Sequence, residues 1–356
     1  MKGSYIMITK VDNYKKVMLM GDSTAQLFTE KEKEFDIAPN EVLVKVAYSA
    51  VSPGTEYANL TGDVNINATI KAEDTKLVWP RGVGYSSSGV VAAVGSEIND
   101  MKVGDRVVLR GCGHASHHLV SRDWVYKIPY DDIGLDEISM AFISSFSISG
   151  ARKLRIEVGE SAAVMGCGIL GLFAVQFCAA MGATPVIAVD PVKEKREKAL
   201  ELGADYAVDP FAEDFVKTMR RLTDGRGINA AVEVTGTGKA LDQILDCMAR
   251  HGRISLLGCT RNSDFTIDYY RKIHYPGIEL IGAHTNTRPN HDSRPGFWTY
   301  TDDYYAIFRL IHFGKVNYKK MISEVHPISE CSKVYSRLAN DYKNFPTGLL
   351  FDWQNA

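Results

Sequence analysis

The chain has 356 residues, more than one hydrophobic core usually serves and about right for two domains. Hydrophobic residues make up 45% and charged residues 24%, the formal net charge is −2, and no block of like charge indicates a nucleic-acid surface. No apolar run approaches the roughly 20 residues that cross a bilayer, and the first residues lack a signal-peptide pattern. We therefore expect a globular protein that binds neither nucleic acid nor membrane.

The six cysteines are widely spaced and include no CxxC pair. They predict neither a zinc knuckle made of sequence-local ligands nor a disulfide scaffold. We expect a reduced, cytoplasmic protein of enzyme size.

The first 150 residues are rich in strand patterns. Short β-branched runs occur at 41–51, 88–98, 101–110 and 117–129, and their spacing predicts a β-rich unit of barrel or sandwich type. The first of these runs ends in a polar turn at Pro53–Gly54, which is either a solvated loop or part of a reaction site. Helical spacing of apolar residues over 136–154 then predicts a bridging helix.

From residue 160 the pattern alternates between strand and helix. The expected strands are 161–166, 185–190, 205–209, 230–236, 253–259 and 277–283. The expected helices are 169–183, 193–204, 214–225 and 239–252. This alternation predicts an α/β fold with a doubly wound parallel sheet. A further helix is expected over 297–316, and a last strand over 346–353.

Three glycines follow the first of these strands in GxGxxG spacing: Gly166, Gly168 and Gly171. They would permit a tight turn, close approach of a pyrophosphate and packing of helix on strand. The helix that begins with Ile169 and Leu170 would offer free N–H groups and its positive dipole end to the phosphates. The alternative is a glycine-rich turn that merely packs.

Asp190 ends the second strand, about 20 residues after the last glycine, where a carboxylate accepts both ribose hydroxyls. Because it would repel a 2′-phosphate, NAD is favoured and NADP is less favoured, although Lys195 and Arg196 nearby weaken this preference.

Two later strands of the same expected sheet end in residues that would face the dinucleotide. Thr235 and Gly236 follow one strand, and Gly258 and Cys259 follow the next. Ligands of parallel sheets bind at the carboxyl ends of strands, so these backbone groups are candidates to hold the nicotinamide. The alternative is that they are simple strand-ending turns.

Segments 38–56, 84–108, 188–209 and 252–258, taken in order, resemble the medium-chain dehydrogenase/reductase superfamily. The resemblance implies a GroES-like catalytic domain over 1–150, a Rossmann dinucleotide-binding domain over 151–290, and a C-terminal return over 291–356 that completes the catalytic domain. It also implies an active site in the interdomain cleft, a small-molecule substrate, and a homodimer or homotetramer.

The departures from the family concern zinc. Zinc-dependent members carry a cysteine where this sequence has Pro53, a His-Glu pair where it has Tyr85-Ser86, and a further ligand near Ser144. None of these side chains binds zinc well, and the lone Cys112 cannot form the structural zinc lobe of some relatives. We therefore expect no catalytic or structural zinc. The alternative is a rearranged site that uses residues from the set His114, His117 and His118.

The family comparison also indicates catalytic candidates. Thr55 aligns with the hydroxyl that hands the substrate proton to solvent, and Tyr85 replaces a metal-ligand histidine. Without a metal, these hydroxyls would stabilise a negative oxygen by hydrogen bonding. The alternative roles are turn stabilisation by Thr55 and volume filling by Tyr85. Glu56 and Tyr57 are weaker candidates.

Two arginines in the aromatic segment after the expected sheet, Arg288 and Arg294, are candidates to bind an anionic substrate. The aromatic rings of this segment are candidates to shape a substrate pocket.

The sequence thus predicts a zinc-independent, NAD(H)-dependent oxidoreductase that acts on a small alcohol or carbonyl compound. One alternative is an NADPH-dependent enone or quinone reductase, because loss of a Lewis acid favours substrates that need less activation. Another is a cofactor-binding protein without turnover.

Overall fold

The structure, a computed structural model, describes residues 7–263 and 265–356. Its strands are β1 (Met7–Leu19), β2 (Ala25–Ile37), β3 (Glu41–Ala50), β4 (Arg81–Gly82), β5 (Ser86–Val94), β6 (Arg106–Arg110), β7 (His117–Ser121), β8 (Val125–Lys127), β9 (Ala162–Met165), β10 (Val186–Val189), β11 (Tyr206–Val208), β12 (Ile228–Glu233), β13 (Met248–Leu256), β14 (Glu279–Gly282), β15 (Glu324–Pro327) and β16 (Leu349–Asp352). Its α-helices are α1 (Pro53–Leu60), α2 (Leu135–Ile138), α3 (Ala141–Lys153), α4 (Ile169–Ala180), α5 (Lys193–Glu201), α6 (Phe215–Arg221), α7 (Gly238–Leu245), α8 (Tyr300–His312) and α9 (Cys331–Asn340). Shorter 3₁₀ or π-helical turns are Val64–Ile66, Ala72–Asp74, Arg122–Trp124, Tyr270–His274, Lys319–Met321, Ile328–Glu330 and Tyr342–Asn344.

The chain divides into two compact units. The first contains the residues up to Ile143 together with those from Tyr318 onwards, and the second is Ser144–Asn317. The second unit therefore includes 291–317, which we had expected to belong to the C-terminal return. Within the described residues, no helix combines the length and the apolar character needed to cross a bilayer.

Strand β3 is central to the first unit. It pairs antiparallel with β5, β7 and β16, in a sheet ordered β15-β16-β3-β5-β6-β8. Its apolar face and α9 share a core that includes Val44, Leu109, Tyr335 and Phe351. The arrangement confirms the predicted β-rich, GroES-like fold.

A second sheet of this unit, ordered β2-β1-β4, contains a long hairpin that the sequence analysis did not identify. One face of the hairpin is buried through residues such as Val17, Leu19 and Ile37. The other face is charged, with Lys10 paired to both Glu32 (2.9 Å) and Glu34 (2.8 Å). These charged residues obscured the alternating pattern of a half-buried strand.

Three local predictions in this unit need correction. The polar turn at Pro53–Gly54 is the start of helix α1, which proline favours because its fixed φ and missing N–H suit the first helical position. The strand expected over 117–129 is divided into β7 and β8 by a 3₁₀ turn at Arg122–Trp124. The helix expected over 136–154 is divided into α2 and α3.

The second unit contains a parallel sheet in the order β11-β10-β9-β12-β13-β14. The order reverses at β9, as in a doubly wound fold, and the predicted α/β class is confirmed. One boundary was wrong: the helix expected over 239–252 ends at Leu245. Met248 pairs with Ile228 of β12 and begins β13. Residues 248–252 therefore belong to a strand, although their apolar spacing continues the helical pattern.

A buried ion cluster joins three segments of the second unit. The carboxylate of Asp303 on α8 is fully buried and accepts hydrogen bonds from Arg152 of α3 (2.9 Å) and from Arg288. Lys153 donates to the carbonyl oxygens of Gly282 (3.2 Å) and Thr287 (2.9 Å). These contacts fasten the segment after β14 to α3.

Replacing Asp303 by Asn should strongly destabilise the protein, because the buried guanidinium group of Arg288 and the partly buried one of Arg152 lose their countercharge. We expect the free energy of unfolding to fall by roughly 3–5 kcal/mol, measured by urea denaturation. Asp292→Asn, the same change at an exposed position, should alter the free energy of unfolding by less than about 0.5 kcal/mol. Equal effects of the two substitutions would contradict the importance of the cluster.

Candidate active site

The glycine-rich loop joins β9 to α4. Gly166 has φ +99°, a left-handed conformation that glycine adopts without strain. A β-carbon on Gly171 would overlap the carbonyl oxygen of Gly166, so glycine is required for this close packing. Gly168 is the N-cap of α4 and has no side chain that could cap the helix. The N–H groups of Ile169 and Leu170 lie in the first turn, where they have no intrahelical acceptor. The loop therefore has the geometry of a phosphate-binding helix start.

Asp190 follows β10 and anchors this loop. Its Oδ2 accepts a hydrogen bond from the backbone N–H of Cys167 at 2.8 Å, and its Oδ1 accepts one from Val192 at 2.8 Å. Each oxygen retains a lone pair for a further donor such as a ribose hydroxyl. Asp190 is thus beside the glycine-rich loop, as its position in the sequence indicated, and it also restrains that loop, which the sequence did not indicate.

The two cations near Asp190 differ in their surroundings. Arg196 donates to the carbonyl oxygen of Asp190 (2.7 Å) and forms an ion pair with Asp209 (3.2 Å). Its guanidinium therefore has partners within the protein. Lys195 lies half-buried in the first turn of α5.

A cavity of about 180 Å³ opens next to the loop. Its walls include three predicted residues, Gly166, Asp190 and Thr235. They also include Phe211 and Lys239, which sequence reasoning missed because they follow different strands, and the Lys239 Nζ lies 5.2 Å from the centre of the Phe211 ring. An aromatic wall beside a carboxylate and an ammonium group suits a polar, planar ligand.

Glu233 organises the ends of β12 and β13. Its carboxylate accepts the backbone N–H groups of Thr235 (2.8 Å) and Gly236 (3.1 Å), and burial raises the pKa of this carboxyl group. A β-carbon on Gly258 would overlap the Gly236 backbone, so the two strand ends touch, and the exposed Cys259 follows at the same edge. The structure thus brings together the strand-end candidates, and Glu233 is a bracing residue that sequence reasoning missed.

In the first unit, three hydroxyl groups meet at the start of α1. Tyr85 donates a hydrogen bond to Ser52, and its hydroxyl oxygen lies 3.5 Å from the Thr55 Oγ1. The Tyr85 ring packs edge-on against Phe142, with ring centres 5.6 Å apart. We call Ser52, Thr55 and Tyr85 the hydroxyl cluster. Its two predicted members are close together, and Ser52 is an addition.

Glu56 lies beneath the hydroxyl cluster and is 1% exposed. Its carboxylate accepts hydrogen bonds from the backbone N–H of Ser52 (2.8 Å), from His114 Nε2 (3.2 Å) and from the hydroxyl of Tyr335. Burial, followed by the nearby Glu56, raises the pKa of Tyr335 well above its usual value, which keeps that phenol a donor. Glu56 is therefore a structural support of the site.

His114 is built into the same support. Its Nδ1 lies 2.7 Å from Ser49 Oγ, and the indole N–H of Trp353 donates to that oxygen at 2.8 Å. A β-carbon on Gly84, whose φ is +81°, would lie 2.5 Å from the imidazole ring. Glycine beside Tyr85 is therefore what admits His114 to this position.

The other weaker candidates have local partners. The Tyr57 ring stacks on Tyr342 with centres 4.4 Å apart. Arg288 is buried in the ion pair with Asp303 and donates to a backbone carbonyl oxygen, so it is not placed to bind a substrate anion. Arg294 lies with its guanidinium carbon 5.0 Å from the Phe297 ring centre.

Two family models match this chain. Residues 38–129 match the alcohol dehydrogenase GroES-like domain, and residues 170–298 match the zinc-binding dehydrogenase model. The L-threonine 3-dehydrogenase of Thermococcus kodakarensis is 27% identical over 80% of this chain and 83% of its own length.

Solved structures share the fold. That of 2R,3R-butanediol dehydrogenase from Bacillus subtilis has a TM-score of 0.77 and 21% identity, covering 95% of this chain and 99% of its own. The structure described as a zinc-binding dehydrogenase from Sinorhizobium meliloti 1021, bound to NADP, has a TM-score of 0.77 and 20% identity, covering 96% of this chain and 100% of its own. This chain belongs to the medium-chain dehydrogenase/reductase superfamily of zinc-type alcohol dehydrogenase-like proteins. It is an NAD(P)-dependent alcohol dehydrogenase-like oxidoreductase.

The zinc that the family model's name implies does not suit the side chains at the family's ligand positions. Pro53 opens α1, Tyr85 is hydrogen-bonded within the hydroxyl cluster, and Ser144 offers only a hydroxyl. Zinc prefers thiolate, imidazole or carboxylate ligands. The described residues also contain no group of three or more His, Cys, Asp or Glu side chains arranged to hold a metal ion.

The three histidines considered as replacement zinc ligands have other surroundings. Both ring nitrogens of His114 have protein partners. His118 Nε2 lies 2.9 Å from the Gly113 carbonyl oxygen. His117 Nδ1 lies 3.2 Å from Ser116 Oγ.

Replacing Asp190 by Ala should weaken NADH binding about tenfold, because the change removes a charged acceptor and releases the glycine-rich loop. NADPH should lose less affinity, since the repulsion of a 2′-phosphate also disappears. Fluorescence titration of both cofactors measures the two dissociation constants.

Glu157→Ala is the matched control for this titration. It removes the same charge from an exposed site that precedes β9, away from the carboxyl ends of the strands. It should leave both dissociation constants unchanged. Unaltered NADH affinity in Asp190→Ala would remove that carboxylate from the cofactor site.

Proposed function

We propose that the protein is a zinc-independent, NAD(H)-dependent oxidoreductase that transfers hydride between the nicotinamide and a small alcohol or carbonyl substrate. The observation that carries the proposal is the hydroxyl cluster, in which Tyr85 takes the position that the family resemblance gives to a metal-ligand histidine and Thr55 that of the proton-relay hydroxyl. Thr55 and Tyr85 are its proposed catalytic residues.

The hydroxyl cluster can perform the acid–base part of such a reaction. During carbonyl reduction, the Thr55 hydroxyl would donate a hydrogen bond to the negative oxygen as it develops, then give it a proton and regain one from solvent. During alcohol oxidation, Thr55 would accept the substrate's hydroxyl proton and pass its own proton to solvent. The dinucleotide, when bound, supplies the hydride acceptor or donor.

The glycine-rich loop and the strand ends are the proposed cofactor site. Gly166, Gly168 and Gly171, with the N–H groups of Ile169 and Leu170, would receive the pyrophosphate.

We propose that the remaining cofactor contacts come from residues at or after the strand ends. Asp190 would accept the ribose hydroxyls and Lys195 would lie near them, while Thr235 and Gly258 would approach the nicotinamide. We favour NAD(H) because the Asp190 carboxylate borders the cavity.

Three further features of the proposal come from the relatives, from an edge strand and from the cysteine spacing. The relatives named for threonine, a guloside and butanediol point to a small substrate that carries a hydroxyl group. A homodimer or homotetramer is supported by β14, an edge strand with exposed Glu279 and Leu280. A cytoplasmic location stays a prediction, based on cysteines with no paired spacing.

An NADPH-dependent enone or quinone reductase is the second candidate. It is favoured by Lys239, whose ammonium group borders the same cavity as Asp190 and would attract a 2′-phosphate. Titrating the protein with NADH and NADPH separates the two candidates.

A cofactor-binding protein without turnover is the third candidate. A panel of alcohols, aldehydes, quinones and enones that gives no absorbance change at about 340 nm would favour it.

Replacing Thr55 by Val should lower kcat roughly tenfold to a hundredfold and leave the NADH dissociation constant unchanged, because the hydroxyl acts on the substrate oxygen. Thr61→Val, an isosteric change at the exposed end of the same helix, should alter neither quantity. If Thr55→Val turns over like the wild type, the proton-relay assignment is wrong.

Metal removal gives an independent test. We expect purified, dialysed protein to contain far less than one zinc per chain by elemental analysis, and turnover to persist after treatment with a chelator. Stoichiometric zinc whose removal abolishes turnover would contradict the proposal.

A further inference from the structure

Ser52 occupies the N-cap position of α1, but it does not act as a cap. Serine at this position usually accepts a hydrogen bond from a backbone N–H of the first helical turn. Here the Ser52 side chain makes no such bond, and its Oγ instead accepts the phenolic hydrogen of Tyr85. The hydroxyl has therefore been diverted from a local structural role to the hydroxyl cluster.

The start of α1 is secured by other means. Glu56, four residues along, accepts the backbone N–H of Ser52 at 2.8 Å. Pro53 has no N–H that would require an acceptor. Because the helix start is held by Glu56, the direction of the Ser52 hydroxyl is free to be set by Tyr85.

Glu56 is itself held by a chain of donors with a consistent hydrogen assignment. The Trp353 indole can only donate, so the Ser49 oxygen accepts from it, and the same oxygen lies 2.7 Å from His114 Nδ1. His114 Nε2 then carries the hydrogen that is donated to Glu56. All of these side chains are buried, so the geometry beneath Ser52 is rigid.

We propose that Ser52 is a positioning residue for the reaction. By accepting the Tyr85 hydrogen, its Oγ fixes the phenol oxygen beside Thr55, and Glu56 holds Ser52 in place. The inference rests on the proposed function, because it requires turnover at Thr55 and Tyr85.

The test compares Ser52→Ala with Thr299→Ala. Thr299 is the N-cap of α8, and its side chain does cap that helix by accepting from Asp302. Ser52→Ala should lower kcat about tenfold, with the NADH dissociation constant and Tm unchanged. Thr299→Ala should lower Tm by a few degrees and leave kcat unchanged.

Two further readouts separate positioning from a general structural effect. Ser52→Thr, which keeps the hydroxyl, should retain kcat within about threefold of the wild type. The apparent pKa in the pH profile of kcat/KM should move by about half a unit or more in Ser52→Ala and stay unchanged in Thr299→Ala.

A spectroscopic arm does not depend on turnover. In protein labelled with ¹³Cζ-tyrosine, the Tyr85 resonance is identified by its loss in Tyr85→Phe. It should shift in Ser52→Ala and stay in place in Thr299→Ala.

The outcomes distinguish this inference from the proposed function. If the wild type turns over and Ser52→Ala has the same kcat, the role of Ser52 is overturned and the proposed function stands. A Tyr85 resonance that does not move in Ser52→Ala would have the same meaning. Absence of turnover by the wild type across the substrate panel would overturn the proposed function, and the role of Ser52 with it.

Discussion

The buried carboxylate of Glu56 is the contact on which the β-rich unit's candidate site depends. A carboxylate removed from water is costly unless donors surround it, and Glu56 receives three: a backbone N–H, an imidazole and a phenol. These donors come from the start of α1, from the segment before β7 and from α9. One side chain thereby ties distant parts of the chain together and sets where Ser52, Thr55 and Tyr85 meet.

The second unit uses the same device twice. Asp190 accepts backbone N–H groups from the glycine-rich loop and from its own strand end, and Glu233 accepts those of Thr235 and Gly236. In each case a carboxylate at the end of a parallel strand restrains the loop that would touch the cofactor. Because the loops are ordered before a ligand arrives, less conformational entropy is lost on binding.

The predictions that were confirmed concern the fold. The alternation of strand and helix indicated a parallel doubly wound sheet, and the β-branched runs of the first part indicated a β-rich unit.

Two predictions of local structure were wrong. The Pro53–Gly54 turn was misjudged because a helix of only Pro53–Leu60 is too short for a periodic pattern. The end of α7 was misplaced because residues 248–252 suit a helix locally but belong to β13, which pairs with β12 at Met248 and again from Arg253.

The sequence by itself determined the class of fold and the positions of the glycine-rich loop and Asp190, because each depends on local periodicity or on a spacing that backbone geometry enforces. Thr55 and Tyr85 were indicated by the family resemblance. The tertiary structure alone decided that Ser52 bonds to Tyr85, that Glu56 and His114 support them, and that Arg288 is committed to Asp303. The side chains of this support are separated by up to 304 residues along the chain, as for Trp353 and Ser49. Contacts between such distant residues follow from how strands and helices pack, and spacing along the chain carries no record of that packing.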